Sequence, residues 1–126
     1  MSEQPTASLY SRLGGYDAFA ALNGALFDRL TEDPELGRFW KHRSADSIIR
    51  EKQLALEYLT AKTGGPSSYI GRSLVVTHKG MGITVRDWEL FIEHVNFLLD
   101  QFQIPDPERA EALAVIENTR AEIVDK

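Results

Sequence analysis

The residues of this chain whose type and setting single them out for ligation or hydrogen bonding are few: His42, His78 and His94, the amide Gln53 set among aliphatic neighbours, and the bases Lys52 and Arg72. The absence of cysteine removes disulfides, thiolate ligation, iron–sulfur clusters and cysteine nucleophiles together. No His-Glu-x-x-His spacing supports zinc, no Ser-His-Asp order follows a helical period, and Gly80-x-Gly82 follows no predicted strand, so neither a triad nor a dinucleotide fingerprint is present. What remains is ligation by one imidazole. His78 is the best placed, with Leu74-Val75-Val76 just before it and the glycine-broken run Lys79-Gly80-Met81-Gly82 after it, a setting that can turn an imidazole toward a flat, iron-bearing cofactor. The alternative is a histidine near a helix end, its charged form favoured by the dipole and by water. His42 lies in the basic run Lys41-His42-Arg43 and reads as solvated, and His94 reads as a packed or surface residue beside the main stripe of its helix.

The 126 residues suit one domain, 1–126, with a loose polar segment at 1–7. An apolar fraction of 43% provides for a core, and a net charge of -5 disfavours nucleic acid or an anionic membrane as partner. The start Met1-Ser2-Glu3-Gln4-Pro5-Thr6 has no basic head, and no segment approaches the roughly 20 apolar residues that span a bilayer. Cytoplasm is the expected compartment.

The elements that must position these residues are helical. Ser8 can cap a short helix, Leu9–Leu13, that stops at Gly14-Gly15; Asp17 is the candidate cap of the next, whose stripe is Phe19, Leu22, Leu26 and Leu30 with Phe27 at its edge. Asn23-Gly24 weakens that helix without breaking its pattern. Asp33-Pro34 begins a turn leading to Phe39-Trp40, and Asp46 or Ser47 can cap a helix ending at Gly64-Gly65-Pro66, with Ile48, Ile49, Leu54, Leu56, Tyr58 and Leu59 on a broad apolar side. A loop from Pro66 to Ser73 precedes a short helix at Leu74–His78. Thr84 with Asp87 forms a capping box for the clearest helix, buried through Trp88, Phe91, Val95, Leu98 and Phe102. Asp106 caps a last helix with Pro107 at its first position, running to the end on Leu113, Ile116, Ala121 and Val124. Four substantial helices with short ones between them make an α-helical sandwich or bundle.

A haem asks for a neutral imidazole on an apolar helix, with an acceptor for its other ring nitrogen. Around His78, Leu74, Val75 and Met81 can supply the apolar lining and the Leu74 carbonyl the acceptor. Gln53 suits the opposite side, since bound dioxygen carries partial negative charge that an amide N–H stabilises; an exposed helix residue is the other reading of Gln53. Lys52 and Arg72 can face propionates, although Arg72 also reads as ordinary surface charge. Phe27, Trp40 and Trp88 are either core aromatics or the walls of that pocket.

The ordered set Leu9-Tyr10-Ser11-Arg12-Leu13-Gly14-Gly15, Asp33-Pro34-x-Leu36-x-x-Phe39-Trp40, Thr63-Gly64-Gly65-Pro66-x-x-Tyr69-x-Gly71-Arg72 and Thr77-His78-x-Gly80-Met81-Gly82-Ile83-Thr84 resembles the truncated haemoglobins, most closely their first group, over nearly the whole chain. The resemblance implies a shortened globin, two helices on two around haem b, with His78 as proximal ligand. It places Trp40 against the haem, Trp88 on the proximal side, and Leu74, Met81 and Ile83 around the same face. On the distal side Phe27 stands where many members carry tyrosine, and Ile49 at the next, often polar, position. Gln53, one turn on, is then the foremost remaining donor, with Tyr58 a weaker candidate. A single amide in an apolar pocket holds oxygen less tightly than a tyrosine–glutamine network, since a hydrogen bond to a polarised acceptor contributes roughly 1.5 to 3 kcal/mol.

The function that follows is reversible binding of dioxygen, CO or NO by a monomer or weak homodimer. The competing readings are nitric oxide dioxygenation or modest peroxidation with an external reductase, gas sensing through a partner contact, and a helical interaction module without haem.

Overall fold

A computed structural model describes residues 7–66 and 78–124. Helix α1 is Leu9–Arg12, α2 Gly15–Glu32, α3 Ala45–Lys62, α4 Val85–Gln101, α5 Asp106–Glu117 and α6 Arg120–Ile123, with a 3-10 turn at Leu36–Phe39. Every element among the described residues is helical, as the sequence pattern requires. The short helix expected from Leu74 lies outside the described residues, apart from His78 itself, which is helical. So do Leu74 and Arg72.

Two helix starts fall where local chemistry places them. The Ser8 hydroxyl accepts the Ser11 N–H at 3.1 Å. At α4 the Thr84 hydroxyl accepts the Asp87 N–H at 3.1 Å while the Asp87 carboxylate accepts the Thr84 N–H at 2.9 Å, so the box closes with aspartate in the third position. Three other starts differ from expectation. Helix α2 begins at Gly15, after Gly14 has turned the chain at φ 113°, which leaves Asp17 inside the first turn, where its carboxylate still favours the positive end. Helix α3 is capped by Ser44 rather than Asp46 or Ser47, the Ser47 hydroxyl instead taking an N–H of Arg43 at 3.0 Å. Helix α5 starts one residue early, with Pro105 as its cap and Asp106 and Pro107 both inside the first turn. The last helix also breaks after Glu117, leaving α6 as a single turn on which Ala121 is exposed.

Helix α2 packs against α3, α4 and the 3-10 turn, and it buries Phe19, Asn23, Phe27 and Leu30. Helix α4 contributes Trp88, Val95, Leu98 and Leu99, whereas Phe102, expected inside, ends the helix about one-third exposed. Across the molecule Arg12 grips Glu111 through both terminal nitrogens, at 2.5 and 2.8 Å, tying α1 to α5. The end of α3 closes on α1 through the Tyr10 N–H, which donates to the Thr63 carbonyl at 3.0 Å. The approach there is close enough that a Cβ on Gly65 would lie 2.5 Å from Thr60 Cγ2 and 2.8 Å from the Tyr10 ring.

Gly65→Ala should therefore cost about 1–3 kcal/mol through overpacking. Gly24 sits mid-helix, where a Cβ would meet nothing within 4 Å, and should gain about 0.5–1 kcal/mol as alanine. Urea unfolding of the two variants measures both; equal midpoints would show that Gly65 is not sterically required.

Candidate functional site

Two aromatic residues from different elements meet first. Phe27, buried on α2, touches Trp40 edge-on, with ring centroids 6.2 Å apart and planes at 72°. Trp40 follows the 3-10 turn and is half-buried; its indole N–H donates to Glu51 of α3 at 3.3 Å, and Glu51 also pairs with Arg43 at 3.0 Å. The ring is thus held from both sides. Sequence reasoning had no means to find Glu51, because a charged residue in the first turns of a helix reads as solvated.

Helix α3 carries Ile49, Lys52 and Gln53. Seven residues make nearly two turns, so Ile49 shares a face with Leu56, and Gln53 with Thr60. Leu56 and Thr60 are buried, which makes that face the inward one, yet Ile49 is 63% exposed and Gln53 is exposed as well. Gln53, expected within an apolar face, is on it, but over that part of α3 the face is uncovered. Lys52 beside them is half-buried. An inward face bearing a large aliphatic side chain and an amide, left open over its first turns, fits a bulky and mostly apolar group.

The opposite group of predicted residues follows the segment outside the described residues. His78 is half-buried, and its carbonyl accepts the Met81 N–H at 3.2 Å. Gly80 at φ 78° and Gly82 at φ 74° both take a left-handed geometry that glycine adopts without a Cβ penalty. The chain then reaches Ile83, buried, and the start of α4; Met81 is half-buried. Trp88, only 2% exposed, has its indole N–H buried with no hydrogen-bond partner among the described residues, and it packs on Phe91 at 5.3 Å. Phe91 extends the aromatic wall along α4, one turn from Trp88, a spacing the sequence already displayed.

The start of α4 is fixed by charge. Arg38 donates to Asp87 through both terminal nitrogens, at 3.0 and 2.7 Å, across from the 3-10 turn. The Arg38 guanidinium, helped by the Thr84 N–H, holds the Asp87 carboxyl below the ordinary carboxylate value against the opposing effect of burial.

The remaining histidines separate clearly. His42 is exposed. His94 has both ring nitrogens engaged: Nδ1 accepts an N–H of Arg29 at 3.1 Å, and Nε2, which then carries the proton, donates to Asp33 at 2.7 Å. No group of three or more His, Asp or Glu side chains among the described residues could cage a bare metal ion. An iron held by one imidazole needs a macrocycle to supply its other ligands, and the apolar, aromatic composition of these walls suits such a disc.

The chain matches the family model described as bacterial-like globin over residues 8–125. It is 28% identical over 119 residues to the group 1 truncated haemoglobin of Tetrahymena pyriformis, covering 94% of this chain and 96% of that protein. Its identity to the Tetrahymena thermophila protein of the same description is 27% across the full length of both. The crystal structure of the Tetrahymena pyriformis truncated haemoglobin in its Fe(III) form superposes with a TM-score of 0.85 at 27% identity, over 95% of this chain and all of that one.

Because the native pKa of Asp87 is lowered, its contribution to stability is complete above the unfolded value near 3.9 and is lost as pH falls through the native one. Asp87→Asn should cost about 1–3 kcal/mol at neutral pH and flatten the acid limb of the stability profile below about pH 4. Denaturant midpoints across that range are the check; an unchanged acid limb would place the sensitivity elsewhere.

Proposed function

The chain belongs to the bacterial-like globins as a group 1 truncated haemoglobin with the two-on-two helical fold, a haem b protein that reversibly binds diatomic gases at iron, and on that footing we propose that His78 is its proximal ligand. The observation that supports this is how the three histidines differ. Both ring nitrogens of His94 are committed to Arg29 and Asp33 and His42 is exposed, whereas His78 is half-buried just ahead of the left-handed Gly80 and Gly82 that lead the chain to Ile83 and α4. The haem supplies the redox-active, gas-binding iron. The protein supplies its orientation, its dryness and the polarity on its far side.

In this reading Leu74, Met81, Ile83 and Trp88 enclose the proximal face, and Phe27, Trp40 and Ile49 the distal one. Lys52 carries its charge at the mouth for a propionate. Gln53 donates its amide N–H to the gas ligand, while Phe27 contributes shape and no hydrogen bond. An uncovered Gln53 on an inward helix face is consistent with that role. We place the protein in the cytoplasm as a gas binder, monomeric or weakly dimeric. Among the described residues no helix is long and apolar enough to cross a membrane. Turnover of nitric oxide with dioxygen would draw electrons from a separate reductase.

After reconstitution, His78→Ala should lose the Soret band of histidine ligation that the parent shows over free haem. A parent without any protein-specific haem spectrum would overturn the assignment. Gln53→Leu should keep the spectrum but release oxygen about tenfold faster or more, as loss of a hydrogen bond to a polarised acceptor requires, which stopped-flow displacement by CO measures.

A further inference from the structure

Asn23 is 6% exposed, in a stretch of α2 otherwise devoted to packing. Its amide nitrogen donates to the backbone carbonyl of Lys52 in α3 at 2.9 Å, and its buried amide oxygen has no hydrogen-bond partner among the described residues. The same residue lines a cavity of about 90 Å³ whose other walls, among them Phe19, Leu22, Leu59, Val95 and Leu98, are apolar. A residue present only to fill space there would be better served by leucine, which has the same heavy-atom branching, fills more of the adjoining cavity and has no oxygen to desolvate. The feature that distinguishes asparagine is the N–H it gives to α3.

The carbonyl it grips belongs to the peptide unit joining Lys52 to Gln53. Within a helix that oxygen already faces the N–H four residues on, so the added bond does not close the helix; it fixes where α3 sits along α2. Asn23 lies one turn before Phe27 on α2, so a single bond relates the Phe27 side of the distal wall to the residue proposed to donate across it.

We propose that Asn23 is a positioning residue that sets the register of Gln53 and Lys52 against Phe27, and so tunes oxygen release without touching the gas. This rests on the distal role proposed for Gln53. A lateral slip of α3 by a fraction of an ångström would misalign an amide donor while leaving the apolar walls in contact, because hydrogen bonds weaken steeply with angle and packing does not.

The test uses haem-reconstituted parent, Asn23→Leu, Gln53→Leu and the double variant, with Thr60→Val as control. Thr60 is also a buried α3 residue with an unpartnered hydroxyl, but it lies two turns beyond the gripped peptide. Asn23→Leu should match or exceed the parent in urea stability, since the orphaned oxygen is removed with the donor. It should broaden or shift the C–O stretch of the CO complex, and oxygen should leave about three- to tenfold faster, part of the change expected from losing the donor itself. Thr60→Val should leave both readouts at parent values. On the Gln53→Leu background the Asn23 effect should largely vanish, as coupled residues are not additive. Should the leucine variant not fold, Asn23→Ser, too short to reach the Lys52 carbonyl, gives the same readouts. An Asn23 variant with the parent's C–O band and oxygen release, or an effect undiminished without Gln53, overturns the positioning role while the haem assignment stands. A parent that takes up no haem overturns both.

Discussion

The molecule depends on what the Asp87 carboxylate holds. Its two oxygens accept the Thr84 N–H that completes the α4 capping box and two N–H groups of Arg38 from the 3-10 turn. One buried charge thereby sets where α4 begins and where the corner before α3 lies. Trp88 is the next residue on one side and Trp40 follows two after Arg38 on the other, so the two tryptophans proposed to wall the haem are referenced to the same carboxylate. A chain of 126 residues that gives part of its interior to a prosthetic group has less side-chain core to hold those walls apart, and polar ties carry more of the geometry than they would in a solid bundle.

A second tie works at the far end of α2. Asp33 accepts the N–H groups of Glu35 and Leu36 through one oxygen and bonds His94 through the other, while Arg29 donates to the second nitrogen of His94 and stacks on the Phe97 ring at 3.8 Å. The Leu36 N–H, aided by His94, lowers the Asp33 carboxyl, so this corner stays ionised through the neutral range. Neutral His94 suffices as the bridge, which is why a histidine beside an apolar stripe here serves architecture and not ligation.

Much of this was legible from residue order, because the strongest signals are local. The Thr84–Asp87 box, the Ser8 cap and the Phe19–Leu30 stripe need no knowledge of the rest of the fold. The caps of α2, α3 and α5 were not legible for a related reason: Gly14, Asp17, Ser44, Asp46, Ser47, Pro105 and Asp106 offer competing starts within a turn of one another, and contacts such as Arg43 with Ser47 choose between them. Asn23 was read as a weak point in its helix. Its partner is a backbone carbonyl 29 residues away, and main-chain acceptors leave no trace in side-chain pattern. Phe102 kept the period of its helix but lies at the end, where the core has run out. Helical periodicity identified the face of α3 that carries Ile49 and Gln53, but it could not say that this face is covered only in its second half.

That half-covered face has a chemical consequence. The described walls carry aromatic and aliphatic side chains, with Glu51 and Lys52 of α3 as the charged groups beside them. Phe27 makes an edge contact with Trp40 where a hydroxyl would have added a donor, so in the proposed site polarity on the gas-binding side falls to the Gln53 amide of α3. Strength of the interaction with a gas ligand then depends on helix placement more than on the number of donors. A tyrosine anchored in the core would give a fixed interaction, whereas an amide on α3 gives one that follows any shift of that helix against α2. With Gln53 as the proposed donor, changes far from the iron that move α3 should alter ligand release directly, and changes that only enlarge the apolar walls should not.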